Sequence, residues 1–144
     1  MNTFRSFFLI ITLFAINQCF SQSVLGTWKT IDDATGAAKA YVNLYEENGK
    51  LYGKITKLLE EGREGAICIK CKGELKDQPV VGIKIIDGFE PTSDGEYKGS
   101  KLLDPEQGKT YRGKIWLDPD NPNQLKVRGY IAFLYRTQTW HRTE

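Results

Sequence analysis

The sequence is poor in the side chains that most often carry catalysis and metal binding. It has one histidine, His141, and three cysteines in 144 residues. A structural zinc site takes four ligands, usually cysteine or histidine at short spacing, and beyond Cys68 and Cys71 the chain has no second pair to supply them. No Gly-x-Ser-x-Gly elbow, His-Glu-x-x-His pair or phosphate loop occurs. His141 has no neighbouring nucleophile with which to act as a general base. The acidic stretches "DPDN" (118–121) and "DPEQGK" (104–109) lack the spacing and distal glutamate of an EF-hand loop. Aspartate and asparagine beside proline are turn chemistry. These absences point away from an enzyme, and neither a metal nor another cofactor is expected.

Runs of one charge are also missing. Lys and Arg total 20 against 18 Asp and Glu, and the signs are mixed along the chain. Such a mixture argues against nucleic acid and against an anionic membrane surface as partners. The one apolar run of note, Phe7 to Ile16, is broken only by Thr12. It falls far short of the ~20 residues of a membrane-spanning helix, so no membrane span is expected. Arg5 precedes it and the polar segment Asn17 to Gln22 follows, the n, h and c order of a secretory signal peptide. Cleavage after Ser21 is expected. Asn17 and Gln18 before Cys19 do not suit lipoprotein processing. The chain therefore reads as a signal peptide (1–21) and a single domain (22–144), exported to the periplasm or secreted.

Export bears on "CIKCKGE" (68–74), whose two cysteines stand three positions apart. They could form a disulfide, a redox centre, or part of a metal site. An oxidising compartment and the shortage of other ligands favour a structural disulfide between Cys68 and Cys71. A thioredoxin-like site would open a helix in a βαβ unit, and no such alternation surrounds it.

What the chain does have is strands. Alternating or β-branched runs cover 24–32, 38–46, 50–59, 80–89, 96–104, 110–118, 125–133 and 135–143. Asn48-Gly49 is a tight hairpin turn, and "TSDGE" (92–96), "DPEQGK" and "DPDNPNQ" (118–124) are further turns. Only residues 60–78 form a long connection, and Leu58 to Gly65 could hold one helical turn. Consecutive hairpins without crossovers make an antiparallel meander. Eight such strands hide their edges by closing into an up-and-down barrel, with a sandwich as the other arrangement. "NGKLYGKI" (48–55), "EYKGSK" (96–101), "QGKTYRGKI" (107–115) and "RGY" (128–130) each set a tyrosine near a glycine. Glycine inside a strand marks a bend or bulge, which a small barrel needs in order to curl.

Two resemblances agree with this. "GTW" (26–28) is similar to the Gly-x-Trp that opens the first strand of lipocalins and their calycin relatives. In that superfamily a late arginine packs over the tryptophan, which implies that Gly26 and Trp28 meet Arg142 or, second, Arg136 at the barrel closure. The stretches 25–55, 68–73, 102–117, 125–131 and 136–142 resemble the bacterial family catalogued as domain of unknown function 2147, over about residues 24–143. That likeness implies a secreted lipocalin-like barrel and brings no activity.

Two function classes follow. The first is a non-catalytic module binding a small apolar or amphipathic ligand at the barrel mouth, since eight strands enclose a filled interior or one small ligand. Arg112, Arg128 and Arg136 are strand cations. Ordinary burial preferences turn them to solvent, while one pointing inward would pair a ligand carboxylate. Arg112 and Arg128, with Tyr111 and Tyr130, make up the candidate ligand contacts. The second class is an envelope protein-interaction or inhibitor domain that presents the disulfide-pinned loop 60–78. An apolar pocket with an inward arginine favours the first class, and a filled core removes it.

Overall fold

The structure is a computed structural model that describes residues 22–143; the expected signal peptide lies outside the described residues. Its strands are β1 (Gly26–Ile31), β2 (Ala38–Glu47), β3 (Lys50–Leu58), β4 (Lys84–Pro91), β5 (Tyr97–Asp104), β6 (Lys109–Leu117), β7 (Gln124–Ile131) and β8 (Leu134–Arg142). They form one closed antiparallel barrel in chain order. β1 closes on β8 with Trp28 opposite Arg142 and Lys29 opposite His141. The expected lipocalin-like meander is therefore what forms, and the sandwich is not. Strands of alternating direction put the β1–β2, β3–β4, β5–β6 and β7–β8 connections at one end, the mouth. The other turns and both ends of the barrel chain lie at the base.

The period-2 pattern decides which side chains turn inward. On β2 the buried positions are Ala40, Val42 and Leu44, while outside them Tyr45 stacks on Tyr52 of β3 with ring centroids 5.7 Å apart. The base is filled: Trp28, Leu51, Ile86, Phe89, Ile115 and Leu125 are all 0% exposed. Three of the strand glycines make room for this packing. A Cβ at Gly99 would lie 2.3 Å from the Phe89 ring, one at Gly113 3.0 Å from it, and one at Gly53 2.7 Å from Leu44. Shifts of strand register also fall at Gly53 and just after Gly99. The Tyr–Gly repeats thus supply both curvature and volume.

Three boundaries differ from the sequence reading. The run 80–89 is a strand only from Lys84, because Gly82 takes φ 100 and bends the chain. Val80 and Ile83 are nevertheless buried, at 5% and 4% exposure, and the Gly82 N–H and Ile83 O still bond to the Ile55 backbone of β3, so this apolar run packs a wall as an irregular lead-in to β4. The β7–β8 turn is Ala132-Phe133, earlier than the expected break at residue 134. The helical turn is a 3₁₀ turn at Gly73–Leu75, while residues 58–65 hold none.

Candidate functional site

Above the filled base the barrel is hollow. A cavity of about 660 Å³ opens at the mouth, inside the ~300–1,000 Å³ range of small-molecule sites. Val42, Ile55, Ile85, Val127 and Trp140 give it an apolar floor and wall. Two small residues, Ala40 on β2 and Gly129 on β7, leave the space open. A Cβ at Gly129 would only touch Leu102 at 3.6 Å and Tyr111 at 3.9 Å.

The rim of the cavity is charged. Lys39, Arg63 and Arg136 stand among Asp32, Glu60, Asp104 and Glu106. Lys39, near the start of β2, donates from Nζ to Glu106 in the β5–β6 turn and lies 3.7 Å from the Asp32 carboxylate. β2 and the β5–β6 turn are not neighbours in the ring, so this ion pair spans part of the mouth. Burial disfavours the Lys39 charge, but the Glu106 hydrogen bond and the charges of Glu106, Glu60 and Asp32 outweigh it and hold the ammonium above its ordinary value. The Asp32 carboxyl sits below its ordinary value, first because the Thr35 backbone N–H and hydroxyl donate to it. Arg136 donates from Nε and Nη2 to Asp33 Oδ2, at 2.9 and 2.6 Å.

One wall of the mouth is the long β3–β4 connection. Cys68 and Cys71 are joined by a disulfide, with Cα atoms 5.3 Å apart, and both are buried. The Cys68 N–H donates to Gln78 O at 2.8 Å and Asp77 N–H to Cys68 O at 2.9 Å. Beside them Ile67 bridges Pro79, so the loop is a short hairpin folded back on itself. It docks on the β5–β6 turn, where a Cβ at Gly108 would lie 1.9 Å from Lys70 O. Cys68 Sγ lies 3.3 Å from Pro105 O.

The residues singled out from the sequence fall into three places. Trp28 is buried at the base, and the Arg142 guanidinium lies 4.3 Å from its ring centre. Gly26 takes φ 118 there, a conformation other residues rarely adopt. Arg136 is at the mouth, away from Trp28. Tyr111 lines the cavity with Arg136. Arg112, Arg128 and Tyr130 do not: they lie on the outer face, where Arg112 is 5.8 Å from the Tyr130 ring and Arg128 4.9 Å from Trp116. Strand alternation turns them out, so the inward-pairing role considered for the two arginines does not fit. His141 pairs with Lys29 and Gln124 across the ladder and is absent from the cavity wall. Lys39 and Asp32 carry no role in the sequence reading, and Glu106 appears there only as turn chemistry in "DPEQGK". The one signal was a lysine between two alanines at the start of an alternating strand; its partner lies 67 positions away.

A family model described as "Uncharacterized protein conserved in bacteria (DUF2147)" matches residues 26–142. The chain belongs to the DUF2147 family. The region shared with DUF2147 starts at the first residue of β1 and ends at the last of β8, so it holds the whole barrel, cavity included. Among solved structures this DUF2147 chain is similar to HP1028 from Helicobacter pylori, described as belonging to the lipocalin family. The TM-score is 0.72 at 19% identity, over 85% of this chain and 84% of that one. At that identity the likeness shows the fold. A search of curated proteins finds no match.

Proposed function

We propose that this protein is an exported, non-catalytic binding module for a small amphipathic ligand, held with its apolar part inside the barrel. The observation that carries the reading is the division of the interior: the base is packed shut, while the mouth half is an apolar cavity of about 660 Å³ under a charged rim. A ligand bearing an acidic head group has two cations to meet there. It would replace Glu106 on Lys39 or Asp33 on Arg136. Charge-assisted bonds of this kind orient a ligand, and apolar burial supplies most of its affinity.

The alternative, a partner-binding loop, has Ile69 in its favour, 65% exposed on the disulfide hairpin. A hollow interior serves no purpose in that role, so the ligand reading is preferred. Native mass spectrometry of protein taken from its own envelope tests it. The expected result is a retained small molecule that Gly129→Phe displaces. Protein that is empty in every preparation, or a turnover activity that depends on His141, contradicts it.

A further inference from the structure

The tip of the β7–β8 hairpin breaks two local rules at once. Its two-residue turn holds Ala132 at φ 52, where such turns favour asparagine, aspartate or glycine. Beside it Phe133 is 90% exposed, with Ile131 at 61%, Leu134 at 63% and Tyr135 at 61%. Single exposed apolar residues need no explanation, but a contiguous cluster marks an interaction site.

The chemistry below the tip is graded. Tyr130 and Tyr135 come next, ring centroids 6.2 Å apart. Arg112 lies 5.8 Å from the Tyr130 ring and Arg128 4.1 Å from the Tyr135 ring. β6 through Leu117 and residues 124–143 contain no Asp or Glu at all. The near-neutral total therefore hides a segregation of charge. Lys114, Lys126 and Arg136 find acids on other segments, whereas Lys109, Arg112 and Arg128 have no acidic partner among the described residues.

An apolar apex, tyrosines next to it, and arginines beside them (Arg112, opposite Tyr130) and below them (Arg128) match the groups of a bilayer interface, from acyl boundary to anionic headgroup. We propose that the β7–β8 tip inserts into the interfacial layer of a lipid bilayer carrying anionic headgroups and holds the barrel mouth against it. A bilayer fits better than a second copy of the chain. A projecting turn offers no flat self-complementary face, and a symmetric pairing would bring the unpartnered arginines of both copies together. Ile131 and Leu134 also line the cavity, so the docked mouth would face the lipid. The tip presents this surface whatever the cavity holds.

Co-sedimentation of the purified protein with vesicles of equal parts phosphatidylcholine and phosphatidylglycerol tests this, with pure phosphatidylcholine vesicles alongside. Binding to the anionic vesicles is expected, weakening as salt is raised. Phe133→Ser, at an exposed position, should keep the circular dichroism of the barrel and lower the partition coefficient at least about tenfold. Arg112→Gln should lower it about fivefold, and Gly129→Phe, inside the cavity, should leave it unchanged. The proposal is overturned by wild-type protein that stays in the supernatant, or by vesicle binding indifferent to Phe133→Ser. A dimer without vesicles that Phe133→Ser abolishes also overturns it, in favour of a second copy.

Discussion

Phe89 fills the base of the barrel because Gly99 has no side chain: a Cβ there would lie 2.3 Å from the ring. The ring cannot yield cheaply, since Phe89 is 0% exposed and enclosed by packed strands. Gly99→Ala is expected to destabilise the protein by about 1–3 kcal/mol through overpacking. Gly129→Ala meets only ordinary contacts, at 3.6 Å and beyond, and should be neutral or stabilising by up to about 1 kcal/mol. Urea unfolding of the two variants checks the contrast. Phe89→Leu combined with Gly99→Ala should recover part of the loss.

The closure gives a second contrast. Trp28 is fully buried and its indole N–H donates to Val24 O at 2.8 Å. Arg142 lies over the ring and donates to the carbonyls of Ser23, Leu25 and Pro122, tying the last strand to the first and to the β6–β7 turn. Trp28→Ala should cost about 3–5 kcal/mol. Arg142→Ala should cost about 2 kcal/mol, from the cation–π contact and the lost hydrogen bonds. Equal small losses in chemical denaturation would place Trp28 outside the core.

The barrel was legible because its signals are local. Alternation over 38–46, Asn48-Gly49, and the proline-rich turn after Leu117 each fix a strand or a reversal without distant information. Val80 to Ile83 misled because β-branched residues look alike in a regular strand and in the irregular bend that leads into one; only Gly82, at φ 100, separates them. The rim was not legible. Lys39, Asp32 and Glu106 meet only through closure of the ring, and Arg112 and Arg128 resemble Arg136 in sequence although alternation sends them to the other face.

The disulfide should matter locally. Such a short loop contributes about 2 kcal/mol on the chain-entropy model, so reduction of Cys68–Cys71 should raise hydrogen exchange over residues 60–78 and leave the strands protected. Gly108→Ala should loosen the same loop, because its Cβ would collide with Lys70 O, 1.9 Å away. Exchange that rises uniformly through the barrel would contradict this.

Charge at the mouth sets a pH dependence. The folded Lys39 value is raised, so its contribution is present below about 10.4 and is lost as pH rises through the higher folded value. The folded Asp32 value is lowered, so its contribution is present above about 3.9 and is lost as pH falls through the lower one. With Glu106 half exposed, Lys39→Met should cost under about 1 kcal/mol at neutral pH. That difference from wild type should shrink in the alkaline range as Lys39 loses its proton, and in acid as the carboxylates it pairs with are protonated. A difference that holds undiminished at both extremes would mean the Lys39 charge is not what stabilises the mouth.

A mouth half that is hollow and open to an amphipathic anion is what ligand binding by this barrel requires. Fluorescence titration with anilinonaphthalenesulfonate, an apolar ring system bearing an acidic group, measures this directly. Wild-type protein should bind the probe saturably. Gly129→Phe should abolish the signal while the barrel stays folded, Lys39→Met should weaken it, and Phe133→Ser should leave it intact. Fluorescence that persists in Gly129→Phe and disappears in Phe133→Ser would place the probe on the exposed tip and contradict a cavity that receives ligand.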